Sequence, residues 1–169
     1  MGKLATVLLV DDRDEDVILI RRAFTQARVL NPVQVAWSGE EAIAYLSGSG
    51  KFEARAEFPL PGLVLLDIKM RGMDGFEVLR WIRQESPYPN LRVVMLTSSE
   101  LMRDVNNAYE LGANSFLVKP LDFERFVEIS EALSGYWLWM DQASSPPTTL
   151  EEKLISDTEF IRRALQVAP

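Results

Sequence analysis

The chain has 169 residues, of which 47% are hydrophobic and 25% charged, and this composition excludes a disordered or fibrous protein. Its net charge of −7 disfavours binding to nucleic acid and to acidic membrane surfaces. The lack of cysteine and histidine excludes disulfides, thiolate metal sites and histidine-based catalysis.

Five short apolar runs predict β-strands. Four of them are almost wholly apolar, as expected for strands that are buried on both faces of a parallel sheet. The second run alternates between apolar and polar residues and is expected nearer an edge. In chain order the runs are Ala5–Val10, Val33–Trp37, Leu63–Leu66, Leu91–Leu96 and Ser115–Val118.

A segment with helical spacing of apolar residues follows each strand. Ser38, with Glu41 three residues later, predicts the N-cap of the second helix, and Gly112 predicts the end of the fourth. Because strand and helix alternate five times, the sequence predicts an α/β fold with a doubly wound parallel sheet. The helical residues are Val17, Ile20, Phe24 and Ala27; Ala42, Ile43 and Leu46; Phe76, Leu79 and Ile82; Leu101–Leu111; and Phe123, Phe126, Val127, Ser130 and Leu133.

Two stretches do not fit this alternation, one before the third strand and one after the fifth helix. Ser47–Gly62 is rich in glycine and proline and predicts a long surface loop. The apolar Tyr136–Met140 predicts self-association, by default as an isologous homodimer. The stripe from Leu150 to Leu165 predicts an extra C-terminal amphipathic helix. We therefore expect one domain over residues 1–140, and a linker with a terminal helix over 141–169.

No stretch of the sequence is long and apolar enough for a signal peptide or a membrane span, so we expect a cytoplasmic protein that does not bind membranes.

Polar residues follow four of the predicted strands: Asp11 and Asp12, Asp67, Thr97, and Lys119. The carboxyl ends of parallel strands meet at one edge of the sheet, so these residues should converge there. Crowded carboxylates repel one another and recruit a cation, and their hard oxygen atoms suit Mg²⁺ (or Mn²⁺) better than zinc or copper. The pattern thus predicts a divalent cation site.

An aspartate beside a divalent cation, an ammonium group and a hydroxyl group is equipped to accept a phosphoryl group. The pattern predicts Asp67 as the nucleophile. Lys119 would hold one phosphoryl oxygen, and Thr97 would donate a hydrogen bond to another.

In this order along the chain, five short motifs resemble the receiver domain of response regulators over roughly residues 4–133. The resemblance implies a flavodoxin-like sheet with strand order 2-1-3-4-5, a sensor histidine kinase as phosphodonor, and signalling by protein–protein interaction rather than enzymatic turnover. The only reaction that the resemblance implies for the chain itself, apart from accepting the phosphoryl group, is self-dephosphorylation. The motifs are Val10-Asp11-Asp12, Leu66-Asp67, Asp74-Gly75, Leu96-Thr97 and Lys119-Pro120.

The resemblance also implies a set of metal ligands. Asp12 would bind the ion directly, Asp11 would act through water, and Asp67 would be both ligand and phosphoacceptor. The backbone carbonyl of Lys69 would complete the protein ligands.

The same resemblance implies the parts of a switch. Thr97 and Phe116 match a pair in which the hydroxyl moves toward the phosphoryl group and the aromatic ring turns inward behind it. The peptide bond between Lys119 and Pro120 is expected to be cis.

The long loop and the terminal Gly135-Tyr136-Trp137-Leu138 resemble small receivers that partner bacterial phytochrome-type histidine kinases. Such receivers have an elongated fifth helix and no output domain. The sequence departs from the receiver pattern at Arg71, where proline is usual, and at Lys69. A second ammonium at Lys69 could form a salt bridge with Asp67, mimic a cation, or change hydrolysis of the acyl phosphate and thus the lifetime of the phosphoryl group.

Two alternatives remain open from the sequence. A haloacid-dehalogenase-type phosphatase would use Asp12 as nucleophile and Asp14 as acid, but it gives Asp67 no role. A receiver-like scaffold, with its state fixed by Lys69, would never be phosphorylated.

Overall fold

The computed structural model describes residues 4–98 and 101–135, in which five strands alternate with five α-helices. The strands are β1 (Val7–Val10), β2 (Val33–Ala36), β3 (Leu63–Leu66), β4 (Val93–Thr97) and β5 (Ser115–Val118). The helices are α1 (Asp14–Gln26), α2 (Gly39–Ser47), α3 (Gly75–Gln84), α4 (Met102–Glu110) and α5 (Phe123–Leu133).

The features predicted beyond Gly135 lie outside the described residues. These are the apolar Tyr136–Met140, the elongation of the fifth helix, the domain boundary at residue 140 and the C-terminal helix.

The five strands form one sheet in the order β2-β1-β3-β4-β5, and every neighbouring pair is parallel. This confirms the predicted doubly wound fold and the edge position of β2. The register decides where the strands end, because Val10 lies opposite Leu66. Asp11 and Asp67 therefore leave adjacent strands at the same level.

Helices cover both faces of the sheet, which explains why the inner strands are continuously apolar. On one face, Leu8 and Val10 pack with residues of α2, α3 and α4. On the other face, Val7 and Leu9 pack with residues of α1 and α5. None of the described helices has the length and apolarity that crossing a membrane would require.

The predicted helix ends are confirmed at two positions. The Ser38 hydroxyl accepts a hydrogen bond from the Glu41 amide at 3.0 Å, and α2 begins at the next residue after Ser38. The Glu41 carboxylate bonds the Trp37 amide at 2.6 Å rather than that of Ser38, so the capping box is incomplete. Gly112 follows α4 with a φ of 91°, a left-handed conformation that favours glycine.

The segment after α2 is more tightly packed than the surface loop that the sequence predicts. It contains a 3₁₀ turn (Gly50–Phe52), and the Phe52 ring is buried between those of Tyr45 and Phe58 with both centroids 5.1 Å away. The Arg55 guanidinium donates to three backbone carbonyls, those of Tyr45, Leu46 and Phe58, at 2.7–3.2 Å. Arg55 thereby satisfies carbonyl groups at the C-terminal end of α2.

We expect Arg55→Met to lower the free energy of unfolding by about 2 kcal/mol, because it leaves partly buried carbonyls without their charged donor. Chemical denaturation measures this change. Arg80→Met is the matched control, since Arg80 lies exposed on α3, and it should change stability by less than about 0.5 kcal/mol. Equal losses in the two variants would contradict this role of Arg55.

Candidate functional site

The strand ends bring three predicted acidic residues together. Asp11, Asp12 and Asp67 can each offer a carboxylate oxygen, with all three oxygens within 4.8 Å of one another. Asp11 and Asp67 are buried, with 1% and 5% of their surfaces exposed, whereas Asp12 is less deeply buried. The predicted cluster at the carboxyl edge of the sheet is thus present.

Lys119 faces this cluster from the end of β5, where its amide donates to the carbonyl of Thr97 at 2.7 Å. Its Nζ lies 2.6 Å from Asp11 Oδ2 and 3.3 Å from Asp67 Oδ2. Only 8% of its side chain is exposed. The ammonium group is therefore enclosed by carboxylates, as the sequence predicts.

A third carboxylate, which the sequence analysis did not single out, also binds this ammonium group. Asp16 Oδ2 in the first turn of α1 lies 2.9 Å from Lys119 Nζ. The acidic run of Asp14, Glu15 and Asp16 fits the general preference for negative charge at a helix N-terminus, and that preference conceals the separate role of Asp16. Only the position of the first turn of α1 at the carboxyl edge of the sheet, within reach of the Lys119 side chain, distinguishes it.

The second carboxylate oxygen of Asp67 has no such partner. Asp67 Oδ1 is buried and accepts no hydrogen bond from the described residues. A buried charged acceptor without a donor is costly unless a ligand or a cation satisfies it. The cluster also holds more carboxylates than cationic groups, and its donor atoms are hard oxygens. The residues present therefore fit a divalent cation of the Mg²⁺ or Mn²⁺ type.

Burial and pairing shift the ionisation of these groups. Burial raises the pKa of Asp67 and of Asp11 above the ordinary carboxyl value, although Lys119 acts in the opposite direction on both. Burial lowers the pKa of Lys119, but Asp67, Asp11 and Asp16 outweigh that effect, and the net shift is upward. The site thus holds a firmly protonated amine among carboxylates whose charge the fold disfavours.

Arg71 binds Asp12, the remaining acidic residue of the cluster. The amide and Nε of Arg71 lie 3.1 Å and 3.3 Å from Asp12 Oδ2. The hydrogen bond from this amide is the main reason that the pKa of Asp12 lies below its ordinary value. Proline, the usual residue at this position in the family that the sequence resembles, has no amide hydrogen to donate.

The loop between β3 and α3 is held at a second point. Glu40, in the first turn of α2, accepts a hydrogen bond from the Met73 amide at 3.1 Å. Between the two attachments lies Gly72 with a φ of 75°, a conformation that glycine adopts readily. The loop that contains Lys69 is therefore fixed at two points, by the Asp12 carboxylate that follows β1 and by the Glu40 carboxylate of α2.

Gly75 allows α3 to begin directly against the site. A Cβ atom at this position would lie 2.1 Å from the carbonyl oxygen of Asp67, which no side chain can tolerate. The Gly75 amide also donates to the Ile68 carbonyl at 2.9 Å. The Asp74-Gly75 motif therefore has a steric cause, and Asp74 adds a capping box with Glu77 at the start of α3.

The remaining predicted residues have mixed outcomes. Thr97 is fully buried at the end of β4, and the Phe116 ring is buried against the α2–α4 side of the core. The peptide bond between Lys119 and Pro120 is trans, so the expectation of a cis bond is wrong; trans is the lower-energy form of such bonds. The Lys69 side chain is exposed, and it makes no salt bridge with Asp67 in the described part of the chain, where Lys119 takes that place.

Comparisons with known proteins agree with this geometry. A family model of the response regulator receiver domain matches residues 7–131. Response regulator RPA3017, described in red light signalling of R. palustris, is 34% identical with a TM-score of 0.78, and the match covers 86% of this chain and 100% of that one.

Two cyanobacterial structures are also similar, each over 85% of this chain and 99% of the other. The Mn²⁺-bound form of response regulator Rcp1, a protein of Synechocystis, is 28% identical with a TM-score of 0.71. The phosphorylated phytochrome response regulator RcpA is 28% identical with a TM-score of 0.73.

We expect Asp67→Asn to raise the free energy of unfolding at pH 7 in the presence of EDTA by about 1 kcal/mol, because it removes a buried charge that lacks a full set of partners. The pKa of Asp67 in the folded protein exceeds its ordinary value, so its ionisation weakens the folded state as pH rises between the two values. The gain should therefore disappear below the ordinary carboxyl pKa, at about pH 3.

Urea denaturation at both pH values measures this difference. Asp14→Asn is the control, since Asp14 is exposed in the first turn of α1. A gain of the same size at both pH values would show that the charge of Asp67 is not its cause.

Proposed function

Because the chain belongs to the family of response regulator receiver domains, we propose that Asp67 is its phosphoacceptor and that Mg²⁺ assists the transfer. The chain is a phosphoacceptor signalling module of the two-component type, similar to phytochrome response regulators. The observation that carries the assignment to Asp67 is its buried Oδ1, which has no hydrogen-bond partner among the described residues and lies in the acidic cluster that Lys119 faces.

The reaction is a transfer from a phosphohistidine of the kinase. An oxygen of Asp67 attacks phosphorus, a new O–P bond forms as the N–P bond breaks, and the imidazole leaves and takes up a proton. Lys119 binds a phosphoryl oxygen, and Thr97 donates a hydrogen bond to another. Asp12, Asp67 and the Lys69 carbonyl would hold a divalent ion directly, with Asp11 acting through water, and the ion would neutralise charge on the nucleophile and the phosphoryl group.

The output is a change in protein binding. A phosphoryl group on Asp67 draws the Thr97 hydroxyl toward it, and Phe116 fills the space behind that hydroxyl. This change biases the surface formed by α4, β5 and α5 between two states. In self-dephosphorylation, water attacks phosphorus, the bond from phosphorus to the Asp67 oxygen breaks and inorganic phosphate leaves, which returns the surface to its first state.

The proposed donor is a sensor histidine kinase of the phytochrome type. Its support comes from the similarity to RPA3017, described in red light signalling, and to the phytochrome response regulator RcpA. The proposal of a homodimer rests on the apolar sequence of Tyr136–Met140.

The structure gives little support to the two alternatives. The phosphatase assigns catalysis to Asp14, which is exposed, and leaves Asp67 without a role although Asp67 lies in the acidic cluster. The unphosphorylated scaffold requires Lys69 to fix the state of the site, but the Lys69 side chain is exposed to solvent and the lysine that pairs with Asp67 among the described residues is Lys119.

Incubation with acetyl phosphate and Mg²⁺, followed by intact mass spectrometry, tests the function. We expect the wild type to gain one phosphoryl group, because Asp67 attacks phosphorus and acetate leaves. Asp67→Asn should gain none, and EDTA should abolish the gain in the wild type. A gain that survives Asp67→Asn, or its absence from the wild type with every divalent metal, would contradict the proposal.

We also expect Arg71→Ala to bind Mg²⁺ roughly two- to fivefold more tightly, since it removes an exposed guanidinium from Asp12 while it keeps the backbone amide. Isothermal titration calorimetry with MgCl₂ measures the dissociation constant. Arg103→Ala is the matched control, because Arg103 lines the same open cavity as Arg71 but pairs with Asp104. Similar tightening in both variants would mean that contact with Asp12 is not the cause.

A further inference from the structure

We propose that Asp16 is a positioning residue that retains the Lys119 ammonium on the α1 side of the site and thereby limits how tightly Asp67 holds a phosphoryl group. The inference rests on the proposed function of Asp67. It assigns a role to a carboxylate that the phosphotransfer reaction itself does not require.

The distances around Lys119 carry the inference. Its Nζ lies 2.6 Å from Asp11 and 2.9 Å from Asp16, but 3.3 Å from Asp67. An ammonium group has three N–H donors, and here three carboxylates share them. The two shorter contacts are to Asp11, which follows β1, and to Asp16 in α1. Asp67, which would accept the phosphoryl group, has the longest contact.

Burial makes this arrangement energetically significant. The exposed fractions of the Lys119 and Asp16 side chains are 8% and 21%, so water screens their attraction much less than that of a surface pair. Within residues 4–98 and 101–135, the other cation that pairs with Asp16 is Arg13, whose Nε is 3.9 Å away and whose side chain is 62% exposed. Lys119 is therefore the dominant partner of Asp16.

The negative charge of Asp16 opposes a phosphoryl group at Asp67, as does its contact with Lys119. A phosphoryl group adds negative charge beside Asp67, and Asp16 adds one more carboxylate to a site that already contains three. Removing this charge favours an anion at Asp67, and it also frees Lys119 to approach that anion. For a divalent cation the effect of the charge is the reverse. Asp16→Asn should therefore tighten the binding of a phosphoryl analogue and weaken that of Mg²⁺.

The competing explanation is that Asp16 serves only as negative charge at the N-terminus of α1. Asp14 provides the test, because it lies in the same first turn but is exposed. A general effect of helix charge would appear in Asp14→Asn as well as in Asp16→Asn. An effect through Lys119 would appear only in Asp16→Asn.

The first experiment titrates the protein with beryllium fluoride, a phosphoryl analogue, at saturating Mg²⁺ and follows binding by tryptophan fluorescence. We expect Asp16→Asn to bind the analogue at least about threefold more tightly than the wild type. Asp16→Glu, which restores the charge, should return toward the wild-type affinity, and Asp14→Asn should match the wild type. Unchanged or weaker binding in Asp16→Asn, or the same gain in Asp14→Asn, would overturn the proposal.

The second experiment needs neither metal nor phosphodonor. The sequence has five lysines, so the Lys119 ammonium signal can be assigned in a ¹H–¹⁵N spectrum of lysine side chains. We expect this signal to shift in Asp16→Asn and to stay in place in Asp14→Asn, and an unchanged signal in Asp16→Asn would refute the contact. If the wild type takes no phosphoryl group from acetyl phosphate, the proposed function fails, whereas this spectrum still reports on Asp16 and Lys119.

Discussion

The site depends on one buried ammonium group that three carboxylates share. Lys119 binds side chains from the end of β1, the first turn of α1 and the end of β3, and so it links three elements that are distant in sequence. Without this cation, the burial of Asp11 and Asp67 would leave two charges close together with no compensation. The parallel sheet makes the arrangement possible, because each strand delivers its last residue to the same edge.

Much of this edge was predictable from the sequence. The apolar runs that end at Val10 and Leu66 define the strands, and a parallel register then places the next residues side by side. The positions of Asp11, Asp67 and Lys119 therefore follow from hydrophobic pattern together with sheet geometry. The strand order came from the resemblance to receiver domains, since apolar pattern alone does not distinguish one order of five buried strands from another.

Other contacts were not predictable, because they depend on how elements pack. Asp16 is a residue type that is common at any helix N-terminus, and its bond to Lys119 depends on where the first turn of α1 lies at the carboxyl edge of the sheet. Arg71 reaches Asp12 through the course of the loop after β3, which the apolar pattern does not indicate. Arg55 lies among glycine and proline residues that indicate a loop, while its three hydrogen bonds join that loop to α2.

The attachment of Glu40 to the Met73 amide makes the two sides of the site interdependent. A substitution that shortens residue 40 would release one of the two attachments of this loop and leave the backbone around Lys69 held by the contacts of Arg71 with Asp12, although no residue of the loop had changed. In related chains, position 40 and the loop after β3 should accordingly diverge together. The start of α2 is thus physically coupled to the acidic edge, despite its distance along the sequence.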